Sequence, residues 1–269
     1  MGNQLIGVFD SGVGGLSVLR EIQSLISDHP TLYIADQAHV PYGSRKKDEI
    51  LKFAKGISEY LLDQGAELIV VACNTASAAA IEELRKTYRQ VEFVGMEPAV
   101  KPAAEHSQSG VVGVLATPST FESDLFSSVV ARFGQDAQIL KDTCAGLVEE
   151  IEAGRALGKK SQTILESALN PMLEQGLDSV VLGCTHYPFA INIIREIVGK
   201  DIEVFDPAPA IARRVAYLLG ENGFKQELRE NHRLITTGNE NAFSQWIASE
   251  FPNLKASIEQ KNWVGKQLS

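Results

Sequence analysis

The chain has 269 residues, of which 44% are apolar and 22% are charged, enough for about two globular domains. The 34 acidic residues outnumber the 25 basic ones and give a net charge of −9, which argues against nucleic acid or an anionic membrane as the main partner. No apolar run reaches the ~20 residues of a membrane span, and the start lacks a signal-peptide pattern. Because the three cysteines show no CxxC pair, we expect no disulfide framework and a cytoplasmic location.

Short β-branched runs alternate with longer amphipathic segments along the whole chain. In the first part, strands are predicted at 6–9, 31–36, 68–72 and 91–96, with helices at 15–27, 46–63 and 76–88. The rhythm then restarts, with strands at 111–116, 138–143, 179–183 and 202–206, helices near 146–153 and 159–174, and another helix opened by a Ser119–Glu122 capping box. A helix from Asp206-Pro207 to Gly220, a strand at 233–238, a helix at 240–250 and a strand at 254–258 complete the chain. This alternation predicts an α/β fold with mainly parallel sheets flanked by helices.

One sequence pattern occurs twice in the chain. GAELIVVACNTAS at 65–77 and GLDSVVLGCTHYP at 176–188 both run from a glycine through an apolar strand to a cysteine. The offset between the two cysteines nearly equals the offset between the predicted first strands of the two parts. We therefore predict two similar α/β domains, one formed by 1–97 plus 208–269 and the other by 98–207.

Five candidate residues stand at or just beyond the ends of predicted strands: Asp10, Asp36, Cys73, Thr117 and Cys184. In parallel α/β sheets, ligands bind beyond the carboxyl ends of the strands. A lone buried cysteine is usually a small hydrophobe, but two cysteines in matching polar contexts favour function. The third cysteine, Cys144, has no counterpart and is interpreted as structural.

Two opposed thiols predict inversion of a stereocentre without a cofactor. A free thiol has a pKa of ~8.5, and a helix start following each cysteine would favour the thiolate. One thiolate could remove a proton from a carbon acid while the other thiol returns a proton to the opposite face. His186 lies two residues after Cys184. It either hydrogen-bonds to that thiol or accepts its proton, or it caps the next helix. No further ligands at zinc-like spacing accompany this pair, so we predict no metal site.

The remaining motifs are loops beside these strand ends. DSGVGG at 10–15 can form a tight turn whose backbone approaches a ligand, and Asp10 either caps that turn or presents its carboxylate to the site. In PYGSR at 41–45, the Ser44 hydroxyl and backbone amides could hold a carboxylate. Asn74-Thr75 and Thr185-His186 supply donors next to the thiols, where they could stabilise developing negative charge.

The segments FDSGVGGLSV, ADQAHVPYGSR, VVACNTAS and LGCTHYP, in this order and spacing, resemble the glutamate racemases of the aspartate/glutamate racemase superfamily. The resemblance extends from about residue 5 to residue 260. It implies two similar α/β domains related by pseudo-twofold symmetry, with the active site in the cleft between them.

The resemblance also implies roles for individual residues. It makes Cys73 and Cys184 the two acid/base catalysts, assisted by Asp10 and His186. The implied substrate contacts are Asp10, Ser11, Tyr42, Gly43, Asn74, Thr75, Thr185 and His186, with Asp36, Ser44 and Thr117 as further possibilities. A family carboxylate follows the central cysteine by eight residues, which selects Glu152. The prolines and one leucine of that family motif are absent from CAGLVEEIE, so Glu149 remains a rival.

Further expectations follow from the same resemblance. They are L- and D-glutamate as the small-molecule substrates, D-glutamate supply for peptidoglycan, no cofactor, no metal and a possible homodimer. The sequence begins almost at its first predicted strand, so we expect no activation by a wall precursor. The alternatives are a racemase for aspartate or a broader set of amino acids, a non-catalytic amino-acid-binding protein, and a cysteine hydrolase that uses Cys184 and His186.

Overall fold

The computed structural model describes residues 5–27, 29–134, 137–220 and 232–269. The chain divides into two compact units, one formed by Met1–Met96 together with Ala208–Ser269 and the other by Glu97–Pro207. The strands are β1 (Leu5–Asp10), β2 (Thr31–Ala35), β3 (Ala66–Val71), β4 (Glu92–Gly95), β5 (Val111–Ala116), β6 (Gln138–Asp142), β7 (Ser179–Gly183), β8 (Glu203–Phe205), β9 (His232–Thr236), β10 (Ser257–Gln260), β11 (Trp263–Val264) and β12 (Gln267–Leu268).

The helices alternate with these strands. They are α1 (Leu16–Leu25), α2 (Lys47–Asp63), α3 (Asn74–Thr87), α4 (Val100–His106), α5 (Pro118–Phe121), α6 (Asp124–Phe133), α7 (Leu147–Glu152), α8 (Lys159–Leu173), α9 (Ile191–Val198), α10 (Ala208–Leu218) and α11 (Glu240–Glu250). Tyr42–Ser44 and Tyr187–Ala190 form short 3-10 turns. Within the described residues, no helix combines the length and apolar character that crossing a bilayer requires.

The sheet of the first unit has the order β10-β9-β2-β1-β3-β4, and all its neighbours are parallel. Its central strands are continuous apolar runs such as LIGVFD and TLYIA, and every residue of β2 is buried. Helices must therefore cover both faces of the sheet. A core that includes Ile57 and Leu61 of α2 and Leu84 of α3 packs on one of these faces.

The sheet of the second unit has the order β6-β5-β7-β8 and is also parallel throughout. Its apolar core includes Val112, Val114 and Val181 of the sheet, with Phe126 and Val129 of α6. The order is the same as that of β2-β1-β3-β4 in the first unit, so β1 corresponds to β5 and β3 to β7. The prediction of an α/β fold with two parallel-sheet domains is confirmed.

Local differences from the sequence expectations occur mostly at element ends. The Ser119–Glu122 capping box is wrong, because Ser119 lies inside the short α5, where Pro118 takes the first position. The longer α6 begins only at Asp124, and the Ser123 hydroxyl accepts its cap bond from the amide of Phe126. The last predicted strand, 254–258, is displaced to Ser257–Gln260. Neither α4 nor the antiparallel hairpin β11–β12 was predicted.

Candidate active site

The two repeated cysteines follow corresponding strands of the two units. Cys73 comes two residues after the end of β3, and Cys184 comes directly after β7. Asp10 ends β1, and Asp36 and Thr117 follow β2 and β5. Each sheet therefore carries its candidate polar residues at its carboxyl edge, the edge where parallel α/β sheets bind ligands.

Cys73 is the N-cap of α3. Its Sγ accepts a hydrogen bond from the backbone amide of Ala76 at 3.4 Å and lies 3.9 Å from the Ser11 hydroxyl oxygen. The side chain is 5% exposed. A sulfur held at a helix N-terminus by an amide donor is in a field that favours thiolate over thiol.

The carboxylate of Asp10 organises the glycine-rich turn after β1. Its Oδ2 accepts the Gly12 amide at 3.2 Å, while the Tyr33 hydroxyl donates to the Gly12 carbonyl at 2.6 Å. A Cβ on Gly15 would lie 2.7 Å from the Cβ of Asp10, so glycine is required for this close approach. Asp10 therefore caps its own turn. Its carboxylate accepts a hydrogen bond from one of the backbone amides that were expected to bind an anionic ligand.

Asn74 carries a buried polar group without a partner. It is the first residue of α3 and is 3% exposed, as is Thr75. Within the residues that the structure describes, neither the side-chain oxygen nor the side-chain nitrogen of Asn74 has a hydrogen-bond partner. An unsatisfied buried amide costs folding free energy. The Asn74 side chain, next to Cys73, is therefore a candidate for hydrogen bonding to a ligand.

Tyr42 and Gly43 are buried in the turn after β2, whereas Ser44 is exposed. The Tyr42 hydroxyl donates to Asp36 Oδ2 at 2.6 Å. Burial, together with the charge and hydrogen bond of Asp36, raises the pKa of Tyr42 well above its usual value. Tyr42 is therefore a fixed neutral donor, and its hydrogen bond goes to Asp36.

In the second unit, Cys184 is the first member of a chain of three side chains. Its Sγ lies 3.8 Å from Nδ1 of His186, whose Nε2–H donates to Glu152 Oε1 at 2.6 Å. Burial alone would lower the pKa of His186, but hydrogen bonds to Cys184 and Glu152 and their negative charges outweigh it and raise the pKa well above the usual value. These two partners therefore favour the imidazolium form of His186.

The expectation that a helix start follows each cysteine is wrong for Cys184. Only the 3-10 turn Tyr187–Ala190 follows it, and α9 begins at Ile191. A short turn has little macrodipole. The imidazolium of His186 supplies the positive charge that the N-terminus of α3 supplies to Cys73.

The structure brings Glu152, and not Glu149, to His186. Glu152 lies at the end of α7 with 13% of its side chain exposed, while Glu149 is exposed. The neighbouring Glu150 forms ion pairs with Arg155 at 2.7 Å and Lys160 at 2.9 Å. These pairs tie α7 to the start of α8 and so fix the helix that carries Glu152.

Three other residues flank this group. Thr117 and Thr185 are buried beside their strands, and the Thr117 hydroxyl lies 2.9 Å from that of Thr120. Cys144 is buried, and its φ of 44° is in the left-handed region, which is unusual for a residue other than glycine. Burial raises the pKa of Cys144 far above the usual value, so it stays a thiol.

Around Asp36 lie three residues that sequence reasoning missed. His39, Thr237 and Trp263 all donate to its carboxylate, at 2.9, 2.8 and 2.7 Å. Thr237 and Trp263 lie about 200 residues further along the chain, and no local pattern marks them. In the described part of the chain, no group of three or more His, Cys, Asp or Glu side chains is arranged to hold a metal ion.

Comparison with known proteins gives consistent matches. The family model described as Asp/Glu/Hydantoin racemase matches residues 6–215. The glutamate racemase of Roseiflexus sp. is 45% identical over 245 residues, covering 90% of each chain. That of Pseudomonas aeruginosa is 50% identical over 214 residues, covering 80% of this chain and 81% of the other.

A solved structure extends the similarity to the whole fold. Escherichia coli glutamate racemase, in complex with L-glutamate and the activator UDP-MurNAc-Ala, superposes with a TM-score of 0.86 at 31% identity. The match covers 98% of this chain and 100% of that one.

Proposed function

Since the chain belongs to the Asp/Glu/hydantoin racemase family, and within it to the glutamate racemases, we propose that it interconverts L- and D-glutamate by two-base proton transfer at Cα. One sulfur, as thiolate, removes the α-proton from one enantiomer. The other sulfur, as thiol, protonates the opposite face of the resulting carbanion. The roles of Cys73 and Cys184 exchange when the reaction runs in the other direction.

The observation that carries this proposal is that corresponding strands of two like sheets each place a cysteine sulfur in the field of a positively polarised group. For Cys73 the field comes from the N-terminus of α3 and the Ala76 amide. For Cys184 it comes from His186, whose imidazolium form is favoured by the hydrogen bond to Glu152. A packed structural cysteine needs neither arrangement.

Apart from the exposed Ser44, the substrate contacts that we propose are buried groups near the two sulfurs. In the first unit they are Asp10, Ser11, Tyr42, Gly43, Asn74 and Thr75, and in the second Thr185 and His186, with Asp36, Ser44 and Thr117 as further candidates. The unsatisfied amide of Asn74 supports this assignment most directly, because a bound α-amino acid offers both donors and acceptors.

The experiment is racemisation of L-glutamate in heavy water. A two-base enzyme gives D-glutamate carrying deuterium at Cα, while recovered L-glutamate stays unlabelled at low conversion. Cys73→Ala and Cys184→Ala should each abolish racemisation, and Cys144→Ala is the matched thiol control. Activity that survives loss of either sulfur would overturn the mechanism. Faster turnover of aspartate than of glutamate would overturn the substrate.

The same proposal includes a cellular role. The D-glutamate formed would supply peptidoglycan synthesis and so maintain cell shape. The reaction needs both sulfurs reduced, which the cytoplasm ensures, and none of the three cysteines forms a disulfide. No cofactor takes part in the proposed steps.

We also propose that the protein works as a homodimer, which sedimentation equilibrium would test.

A further inference from the structure

One buried carboxylate joins side chains from distant parts of the first unit. We call this group the Asp36 cluster: Asp36, His39, Tyr42, Thr237 and Trp263. Oδ2 of Asp36 accepts from Tyr42 and His39, and Oδ1 accepts from the Thr237 hydroxyl and the Trp263 indole N–H. Asp36 is 0% exposed, so each of these charge-assisted bonds restricts how its carboxylate can turn.

Trp263 reaches the cluster from the hairpin β11–β12. Leu268, in the partner strand of that hairpin, is buried in the core of the first unit. The indole packs edge-on to His39, with ring centres 5.4 Å apart, and lies 5.8 Å from the ring of Phe53. The indole is therefore fixed by packing as well as by its hydrogen bond to Asp36.

Gly56 allows the hairpin to approach α2 this closely. A Cβ at this position would lie 2.5 Å from the carbonyl oxygen of Lys266 and 2.8 Å from the ring of Trp263. Glycine is a poor residue for the middle of a seventeen-residue helix. Its presence there is explained by the space that the hairpin occupies.

The cluster also connects directly to the proposed substrate contacts. Tyr42, bonded to Asp36, is the first residue of the turn that contains Gly43. The Asp36 backbone amide donates to the Asp10 carbonyl at 3.0 Å. Any rotation of the Asp36 carboxylate therefore changes the support of Tyr42 and of the backbone that follows it.

We propose that Trp263 is a positioning residue for substrate binding, a role that rests on the proposed function. Its indole N–H fixes Oδ1 of Asp36, so that Oδ2 holds the Tyr42 hydroxyl and keeps the Tyr42–Gly43 backbone in its binding geometry. Trp263 itself performs no proton transfer. Its loss therefore weakens glutamate binding and leaves the chemical step largely intact.

The first test is spectroscopic and needs no activity. The chain has two tryptophans, so a ¹H–¹⁵N spectrum of the full chain shows two indole signals, and Trp263→Phe identifies one of them. Asp36→Asn should move that signal and leave the other in place. An unmoved Trp263 signal would overturn the hydrogen bond and with it the proposal.

The second test separates KM from kcat. Trp263→Phe keeps a ring but loses the donor, and should raise the KM for glutamate about tenfold, the equivalent of one charge-assisted hydrogen bond, with kcat within about twofold. Val264→Ala, at an exposed position of the same hairpin, should change neither. In an Asp36→Ala background, Trp263→Phe should add little, because Asp36→Ala already removes the acceptor of the indole N–H.

A second variant covers the case in which Trp263→Phe fails to fold. Gly56→Ala improves helix propensity but displaces the hairpin, and should raise KM in the same direction. If the wild type is active and Trp263→Phe has an unchanged KM, the positioning role alone is overturned. If only Gly56→Ala folds, an unchanged KM in that variant has the same consequence. A wild type that does not racemise glutamate overturns the proposed function and this role together.

Discussion

Asn74 shows how a single residue can be unfavourable for folding and useful for binding. Its amide is buried next to Cys73, and neither of its polar atoms pairs with any described part of the chain. Leaving such a group without partners costs about 1–3 kcal/mol. A ligand that forms hydrogen bonds with the amide recovers this free energy on binding. The arrangement therefore lowers the stability of the unliganded protein and raises its affinity for the ligand.

This trade-off predicts opposite effects of one substitution. Asn74→Leu replaces the amide by an apolar group of similar shape, so the Tm of the unliganded protein should stay the same or rise. The KM for glutamate should rise at least about tenfold, and the Tm shift that a fixed glutamate concentration induces should shrink. Asn192→Leu, at an exposed position near the start of α9, is the control. A large fall in Tm with normal KM would contradict the prediction.

The pair formed by His186 and Glu152 predicts a change in pH dependence. The carboxylate helps to raise the pKa of His186, so Glu152→Gln should lower it. The imidazolium would then be lost at lower pH, and the basic limb of the kcat/KM profile should move toward acid. Glu149→Gln, which removes an exposed charge from the same helix, should leave the limb in place.

The same pair gives a stability effect of definite sign. A histidine whose folded pKa is raised stabilises the fold below its unfolded pKa of ~6.5, and this contribution is lost as pH rises through the folded value. Wild type should therefore lose more stability than Glu152→Gln between neutral and alkaline pH. Urea unfolding at several pH values measures this difference, and equal losses in the two proteins would contradict it.

Among single residues, the sequence predicts candidates whose signal is local. Cys73 and Cys184 are predicted because each lies in a repeated segment, and Tyr42 because its loop matches a motif of the family that the chain resembles. Thr237 and Trp263 were missed because their bonds to Asp36 join positions about 200 residues apart. A hydrogen bond between such distant residues leaves no periodic or spacing pattern in one sequence.

At the scale of elements, helix starts were the least predictable feature. The sequence predicts α3 from residue 76, but it begins at Asn74 with Cys73 as its cap. Cysteine is not among the residues that usually cap helices, so propensity does not identify Cys73 as the cap, although a helix start after it is expected. The shift places the sulfur at the helix N-terminus, and only the structure shows the amide bond to it.

The hydrogen bonds that Asp178 accepts from the turn between α4 and β5 are expected to weaken at acid pH. Partial burial would raise the pKa of Asp178, but hydrogen bonds from the Ser107 hydroxyl and from the amides of Ser109 and Gln108 hold it at about 2. A carboxylate with a lowered folded pKa stabilises the fold above its unfolded pKa, and this contribution is lost as pH falls toward about 2.

Asp178→Asn should therefore destabilise the protein by about 1 kcal/mol near pH 7. The difference from wild type should shrink as pH approaches 2, where the wild-type carboxyl also becomes neutral. Denaturant unfolding at neutral and acidic pH measures both values. A difference that does not depend on pH would mean that the charge on Asp178 contributes nothing to the turn.

At the scale of the whole molecule, the repeated phrase predicted the fold more reliably than any single element. β2-β1-β3-β4 and β6-β5-β7-β8 have the same order and direction, as expected if both parts derive from one α/β unit. The first sheet then adds β9 and β10 from the end of the chain. Strand order within each sheet could not be derived from periodicity, because every buried parallel strand has the same apolar pattern.

This organisation predicts that the second unit folds alone but does not racemise. Residues 97–207 are contiguous and contain a complete sheet with its own core, so the fragment should unfold cooperatively and keep the raised pKa of His186. It carries Cys184 without Cys73, so two-base transfer is impossible. Circular dichroism melting and a histidine NMR titration test the fold, and the heavy-water assay tests activity. Racemisation at the rate of the full chain would show that Cys73 is dispensable and that one sulfur serves both faces of the carbon.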